Sequence, residues 1–376
     1  MLNRSKLFKK LEQSTHLFIE EFSQGQTVAY TLWKALIHDQ ALQEKINAIS
    51  SKYHIPAWYE KLGQTYTIAP YAYHYRMISV DGSQIYPDRH QGFACYLINI
   101  GTVIISYAAP SSVVVDSAPF LFTGYEEDSM PLFSQELVNC HRSELEFARA
   151  LELIQDSSHN EHEPSLFLFD GSLIMWHLEG KEQKNYTAFV QKTIDVMEAL
   201  FARKALHAGY ISLPKSKDIV NIVRRAALIP EYHALIETAI PDILNTVLDA
   251  TLAHNFLPPA TRTIVFKHQT AMAHVYPEHL TPHFFYMNNG FEIIRIEVPA
   301  WIAWDTQKVD LIAQLCLDQS IKGNGYPVCL AEAHEQAVVK NSDRYFFYEL
   351  MNMMAHKKGH QFPASQKSLK KRVMDI

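Results

Sequence analysis

Cysteine is scarce: the 376 residues hold four, Cys95, Cys140, Cys316 and Cys329, and no two of them form a Cys-x-x-Cys pair. That excludes a thiolate zinc cage and a disulfide framework, and it points to a cytoplasmic protein. Long hydrophobic runs are also lacking. None approaches the roughly 18 residues a membrane-crossing helix needs, so no membrane association is expected. The opening MLNRSKLFKKLEQ is charged at a helical period, unlike a signal peptide. There is no surplus of positive charge, since 34 Lys and Arg against 40 Asp and Glu give a net charge of −6. This argues against a nonspecific polycation binder, although a local basic groove is compatible with the sum. Internal repeats and low-complexity tracts are absent as well. What is present is 48% apolar residues, ordinary for a globular chain and too many for a disordered one, and 19 histidines as a pool of metal ligands.

Glycine and proline are nearly missing from residues 1–50, where Leu7, Leu11, Leu17 and Phe18 keep a helical spacing. Residues 1–70 therefore read as a helical N-terminal extension. From residue 76 the composition turns to β: RMISVD ends at Asp81, and GFACYLINIGTVIISYAA reads as two strands turning at Asn99-Ile100-Gly101. SSVVVDSAPFLF extends this to an antiparallel meander of three strands. Next come an amphipathic helix over 134–156 on the face of Leu137, Leu145, Ala148 and Leu151 or Glu152, and a polar loop over 157–164. SLFLFDGS follows as a strand buried on both faces, then a helix over 184–207 and a short strand at GYISLPKS. Residues 217–258 are a mostly helical insertion broken at Pro230 and Pro241. A hairpin turning at Asn288-Asn289-Gly290 and further helices complete the chain. The fold class is α/β, a mixed sheet with a meander at its start and flanking helices. The main domain is expected over 71–345, and 346–376 as a helix end with a basic tail.

Four segments can carry chemistry. Two strands each deliver Asp-Gly-Ser, at Asp81-Gly82-Ser83 and at Asp170-Gly171-Ser172. A carboxylate at the C-terminal end of a strand sits where α/β folds gather their sites, and the glycine admits a ligand to the backbone. An isolated Asp-Gly is otherwise an ordinary turn. Between them Glu146 stands four residues after Arg142, a spacing that also suits a plain helix-surface ion pair. Glu144 and Glu152 compete with Glu146 for any role at the sheet. The fourth segment, Tyr326-Pro327-Val328-Cys329-Leu330-Ala331-Glu332-Ala333-His334, puts His334 on a helix among small and apolar residues, where a core histidine is the alternative. Trp58, Tyr59, Tyr71 and Tyr73 have the chemistry to stack on unpaired bases or to pack in the core.

A strand with Val-Asp-Gly-Ser, a meander, a helix with Arg-x-x-x-Glu, a strand with Asp-Gly-Ser-Leu and a late Tyr-Pro…Ala-His helix, in that order over about residues 76–340, resemble the NurA nucleases. The resemblance implies a ribonuclease H-like core, manganese-dependent DNA cleavage, a ring-shaped homodimer and DNA-end processing beside a hexameric HerA-type ATPase. It assigns Asp81, Glu146, Asp170 and His334 as metal ligands, with Asp81 bridging, and adds Tyr326 to the catalytic set. Lys215 becomes a possible phosphate contact. The implied cofactor is Mn²⁺ or Mg²⁺, as two ions about 3.5–4 Å apart, hard cations that carboxylates suit, with the histidine favouring Mn²⁺. The basic tail, with Lys357, Lys358, Lys367, Lys370, Lys371 and Arg372, is then either a solvated end or a phosphate contact. Two other classes stay open: a non-catalytic DNA clamp on a translocase, and an actin-like ATP-binding protein, whose duplicated halves the spacing from Asp81 to Asp170 does not provide.

Overall fold

The computed structural model describes residues 2–71, 73–88, 95–123, 135–156, 163–178, 183–236 and 243–359. Pro241 and the tail cations Lys367, Lys370, Lys371 and Arg372 lie outside them. The chain forms two compact units, one of Met1–Tyr71, Gly171–Ile174 and Gly209–Gly325, the other of Ala72–Asp170, Met175–Ala208 and Tyr326–Ile376.

The second unit is built on a mixed sheet. Strands β1 (Arg76–Ile85), β2 (Tyr96–Ser106) and β3 (Ser112–Phe122) form the antiparallel meander. Helix α1 (Gln135–Asp156) leads to β4 (Ser165–Asp170), which pairs parallel to β1, so the strands lie in the order β4-β1-β2-β3. Helix α2 (Gln183–Ala202) leads to β5 (Leu206–Ile211), whose first residues, Leu206–Ala208, belong to this unit. Much later in the chain comes α3 (Val328–Ala337), followed by the helix Asn341–Lys357. Leu166, Phe167, Leu168 and Phe169 are all buried, as a strand covered on both faces requires.

Alternation along the strands shows which helix covers which face. Val80, Gly82 and Thr102 point towards α1: Phe169, opposite Val80, stacks on Phe147 of α1, and Arg149 of α1 donates to Thr102 Oγ1 at 3.3 Å. Asp81, Ser83, Asn99 and Gly101 point towards α3. There Asn99 Nδ2 donates to the carbonyls of Gln336 and Ala337, at 3.2 and 2.9 Å, and holds the C-terminal end of that helix.

Three local expectations change. No turn forms at Asn99-Ile100-Gly101; β2 runs straight through it, with Gly101 opposite Asp81. The glycine serves close approach instead, since a Cβ there would stand 2.4 Å from the Ala333 carbonyl oxygen and the Ala337 nitrogen. Asp81 is likewise not at a strand end, because β1 continues to Ile85 through Gly82 and Ser83. On α1 the buried positions are Leu137, Val138, Cys140, Phe147, Ala150, Leu153 and Ile154, so Leu137 keeps its expected place on the buried face, whereas Leu145, Ala148 and Leu151 are half-buried and Glu152 is exposed. The stack of Phe147 on Phe169 sets that orientation.

In the first unit the helix Arg4–Leu36 is capped by Asn3, whose Oδ1 accepts from the Lys6 amide at 3.0 Å. Its second half buries Ala29, Leu32, Trp33 and Leu36 against the helix Asp218–Ala226 and its neighbours. Residues 57–58 and 65–67 are short strands, not helix, pairing with Phe266–Lys267 and Thr261–Thr263. The strands Pro282–Asn288 and Ile293–Pro299 are buried along their whole length and joined at Gly290, whose φ of 89° suits glycine. Trp58 belongs to this core, while Tyr59 is exposed.

Candidate active site

The two Asp-Gly-Ser segments meet through strand register. β1 pairs with β4 up to Val80 opposite Phe169, so Asp81 and Asp170 occupy the next position on adjacent strands and share the α3 face. There β4 ends and β1 continues, which leaves the β1 backbone beyond Val80 without a β4 partner. The Gly82 amide turns to carboxylates instead, donating to Asp81 Oδ1 at 2.8 Å and to the Glu146 carboxylate.

Helix α3 supplies two more groups. His334 Nδ1 lies 2.9 Å from Asp81 Oδ2, and with 59% of its side chain exposed it opens the site to solvent. Tyr326, just before α3, donates its hydroxyl to the Asp170 carboxylate. The core-histidine alternative for His334 therefore does not hold.

Glu146 approaches from the other face. Gly82 makes this possible, since a Cβ at that position would stand 2.7 Å from Glu146 Oε1 and 2.6 Å from Arg142 Cγ. Arg142 Nε lies 3.4 Å from Glu146 Oε1, and its Nη1 donates to Gln84 at 3.1 Å. The competitors point elsewhere: Glu144 accepts from Lys192 of α2 at 2.7 Å, and Glu152 pairs with Arg149 at 2.9 Å. Burial pushes the Glu146 carboxyl up to about 8, against the pull of Arg142, and the charges of Asp81 and Asp170 push the same way. Asp170 is also raised, chiefly by burial, with the Tyr326 hydrogen bond opposing and Asp81 adding to the rise. Crowded carboxylates held above their ordinary range mark a place where a cation is favoured.

Family comparison matches residues 75–339 to the NurA domain. The chain belongs to the NurA family. Its fold also matches the crystal structure of the NurA nuclease from Sulfolobus solfataricus, with a TM-score of 0.54 and 15% identity over 95% of this chain and 98% of that one. The mixed α/β architecture is thus ribonuclease H-like. Endonuclease V from Bacillus subtilis (TM-score 0.33, 13% identity, 82% of this chain and 92% of that one) and Endonuclease V from Ciona intestinalis in complex with DNA (TM-score 0.31, 11% identity, 74% and 87%) are more distant. No curated protein matches.

The donor set of this NurA chain, three carboxylates and an imidazole, suits hard divalent ions and not thiolate-seeking ones. Among the described residues no three such side chains already surround one point, because Asp81 is turned to His334 and Glu146 to Arg142. Lys215 is exposed and belongs to the other unit. The sequence pattern offers Asn99 and Gly101 as a turn, whereas both seat α3; the spacing of Arg142 and Glu146 offers an ion pair, and that pair forms. The signal for Gly101 was a glycine inside an otherwise apolar strand, a common mark of close backbone approach.

Proposed function

We propose that this chain is a divalent-metal-dependent deoxyribonuclease that processes DNA ends, with Asp81, Glu146, Asp170 and His334 holding Mn²⁺ or Mg²⁺. The observation that carries the reading is the in-register meeting of Asp81 and Asp170 beneath α3, with His334 2.9 Å from Asp81 and Glu146 admitted past Gly82. Two such ions, when bound, activate a water and neutralise charge on the non-bridging phosphate oxygens.

The protein's own groups prepare the site. Tyr326 orients Asp170 and favours its ionised form, and Arg142 does the same for Glu146. Gly82 contributes an amide and leaves room for Glu146. His334 completes the ligand set from the solvent side, 2.9 Å from Asp81. The sequence resemblance supports the wider setting, a homodimer working beside a HerA-type hexameric ATPase.

The test is cleavage of linear DNA with Mn²⁺. Asp81→Ala and Asp170→Ala are expected to abolish it while circular dichroism stays unchanged, and full activity in either variant would sink the site assignment. Adding a HerA-type ATPase should raise the rate; a rate indifferent to it removes the proposed partnership.

A further inference from the structure

The first unit contains a polar cavity, of about 380 Å³, between the helix ending at Asn47, the segment around Tyr53 and the helix Asp218–Ala226. That volume is within the range of small-molecule sites. Its walls carry side-chain amides, a tyrosine, a tryptophan and Arg225, and no carboxylate. This is unexpected in a chain with more acidic than basic residues.

Arg225 is the cation of the wall, and Arg224 and Lys52 stand against the lining residue Tyr53. Arg224 lies 5.2 Å from the Tyr53 ring centroid and Lys52 lies 5.7 Å from it. Lys217 donates to the Asn245 carbonyl at 2.5 Å, and Arg224 donates to the Asn245 side chain at 2.6 Å. Among the described residues none of Lys52, Lys217, Arg224 and Arg225 forms a salt bridge. Asp249, the carboxylate whose charge Lys217 and Arg224 sense, is already occupied by the amides of Asp218 and Val220 and by the Tyr286 hydroxyl.

Arg225 has a structural role, donating to the Ile49 carbonyl at 2.6 Å. That uses one of its five N–H groups, and its Nε is buried without an acceptor. A guanidinium on a cavity wall, flanked by cations outside any salt bridge and faced by amides, matches a ligand with an anionic oxygen cluster and a flat, hydrogen-bonding body. We propose that this cavity binds a nucleoside phosphate, either as a free nucleotide or as an unpaired nucleotide of a DNA strand. The proposal stands apart from the nuclease reading, since none of its residues belongs to the unit of Asp81.

The full chain is titrated in EDTA with dAMP, with deoxyadenosine and with a short fluorescein-labelled single strand. Two variants probe the cavity: Arg225→Gln removes the charge, and Asn47→Trp, at an exposed position on the wall, fills the space. Should Arg225→Gln fail to fold, Asn47→Trp carries the test alone. Losing one charge-assisted contact should weaken binding about tenfold or more. Weaker dAMP binding in the variants, with deoxyadenosine binding poorly to the wild type, supports the site with a free nucleotide as ligand. Weaker strand binding without measurable dAMP binding supports it with DNA as the source. Unchanged affinity in Asn47→Trp, or no binding of either ligand to the wild type, overturns the proposal. Mn²⁺-dependent cleavage in Asp81→Ala reports on the nuclease assignment, and dAMP or strand binding in EDTA by Asn47→Trp reports on this cavity, so failure of one is distinguishable from failure of the other.

Discussion

The strictest test of how this site is built is a single methyl group. In Gly101→Ala the new Cβ would stand 2.4 Å from the Ala333 carbonyl oxygen, 2.4 Å from the Ala337 nitrogen and 2.8 Å from the Gln336 carbonyl carbon. Ordinary contact begins at 3.4 Å, so α3 must retreat by about 3.4 − 2.4 = 1 Å. Every opposing atom is backbone, so no rotamer change relieves the clash. Asn99 holds the end of the same helix by two hydrogen bonds and resists the movement. Overpacking of this kind costs about 1–3 kcal/mol. Helix α3 carries His334, 2.9 Å from Asp81 on the neighbouring strand. A misplacement of about 1 Å at a reacting centre costs on the order of 100-fold in rate.

The assay is Mn²⁺-dependent cleavage of linear DNA at saturating metal, paired with urea unfolding of the same sample. Gly101→Ala should lose about 100-fold in rate and about 1–3 kcal/mol in stability. Gly290→Ala is the control. It sits at φ 89° with open space around it, so it should lose about 1–2 kcal/mol through backbone strain and keep its full rate. A Gly101→Ala protein that is destabilised yet fully active would refute the argument that this contact positions His334. One that is neither destabilised nor slowed would refute the packing itself.

Buried charge and metal linkage give three more tests. Glu146 is raised from 4.5 to about 8, so the stability available to the metal-free fold is complete below pH 4.5 and declines as pH climbs through 8. In EDTA Glu146→Gln should therefore be more stable than the wild type at pH 9, by at most about 5 kcal/mol; lower stability in urea at that pH would contradict this. His207 is lowered from 6.5 to about 4 by burial, against the Ala205 carbonyl, so its stability contribution is complete above pH 6.5 and is lost as pH falls towards 4. His207→Leu should flatten unfolding free energy across that window by about 3 kcal/mol, and a slope parallel to the wild type would refute it. Mn²⁺ should raise the melting temperature of the wild type and not of Asp81→Ala, as linkage to a native-state site demands; equal shifts in both would remove Asp81 from the binding set.

Much of the nuclease-like unit is legible in the sequence, because its signals are local. Leu166 to Phe169 form an uninterrupted apolar run, and a run of that kind between helices has few places to go except the middle of a sheet. The meander is legible for the same reason, although its turns are not. Asn99-Ile100-Gly101 carries the chemistry of a turn, and only the backbone of α3, more than 200 residues later, explains why glycine stands in a straight strand. The choice among Glu144, Glu146 and Glu152 has the same character. All three lie on one helix, and what separates them is the absence of a side chain at Gly82 and the presence of Lys192 and Arg149 beside the other two. The short strands at 57–58 and 65–67 escape the sequence because strands of two or three residues show too little alternation to read; their partners, at 266–267 and 261–263, supply the pairing.

The repeated Asp-Gly-Ser suggests one device used twice, yet each residue after the aspartate answers a different demand. Gly82 is extended and needed for room, because Arg142 and Glu146 occupy the space of its missing Cβ. Gly171 has nothing near that space and is needed for its φ of 116°, which ends β4 immediately after Asp170. Ser83 accepts the Val339 amide at 3.3 Å, while Ser172 donates to the buried Glu297 at 2.6 Å. What the two copies share is the position of the aspartate, one residue beyond the last paired step between β1 and β4. Parallel register, not the tripeptide, brings the two carboxylates together. A one-residue slip of either strand would turn its aspartate to the α1 face and part the pair.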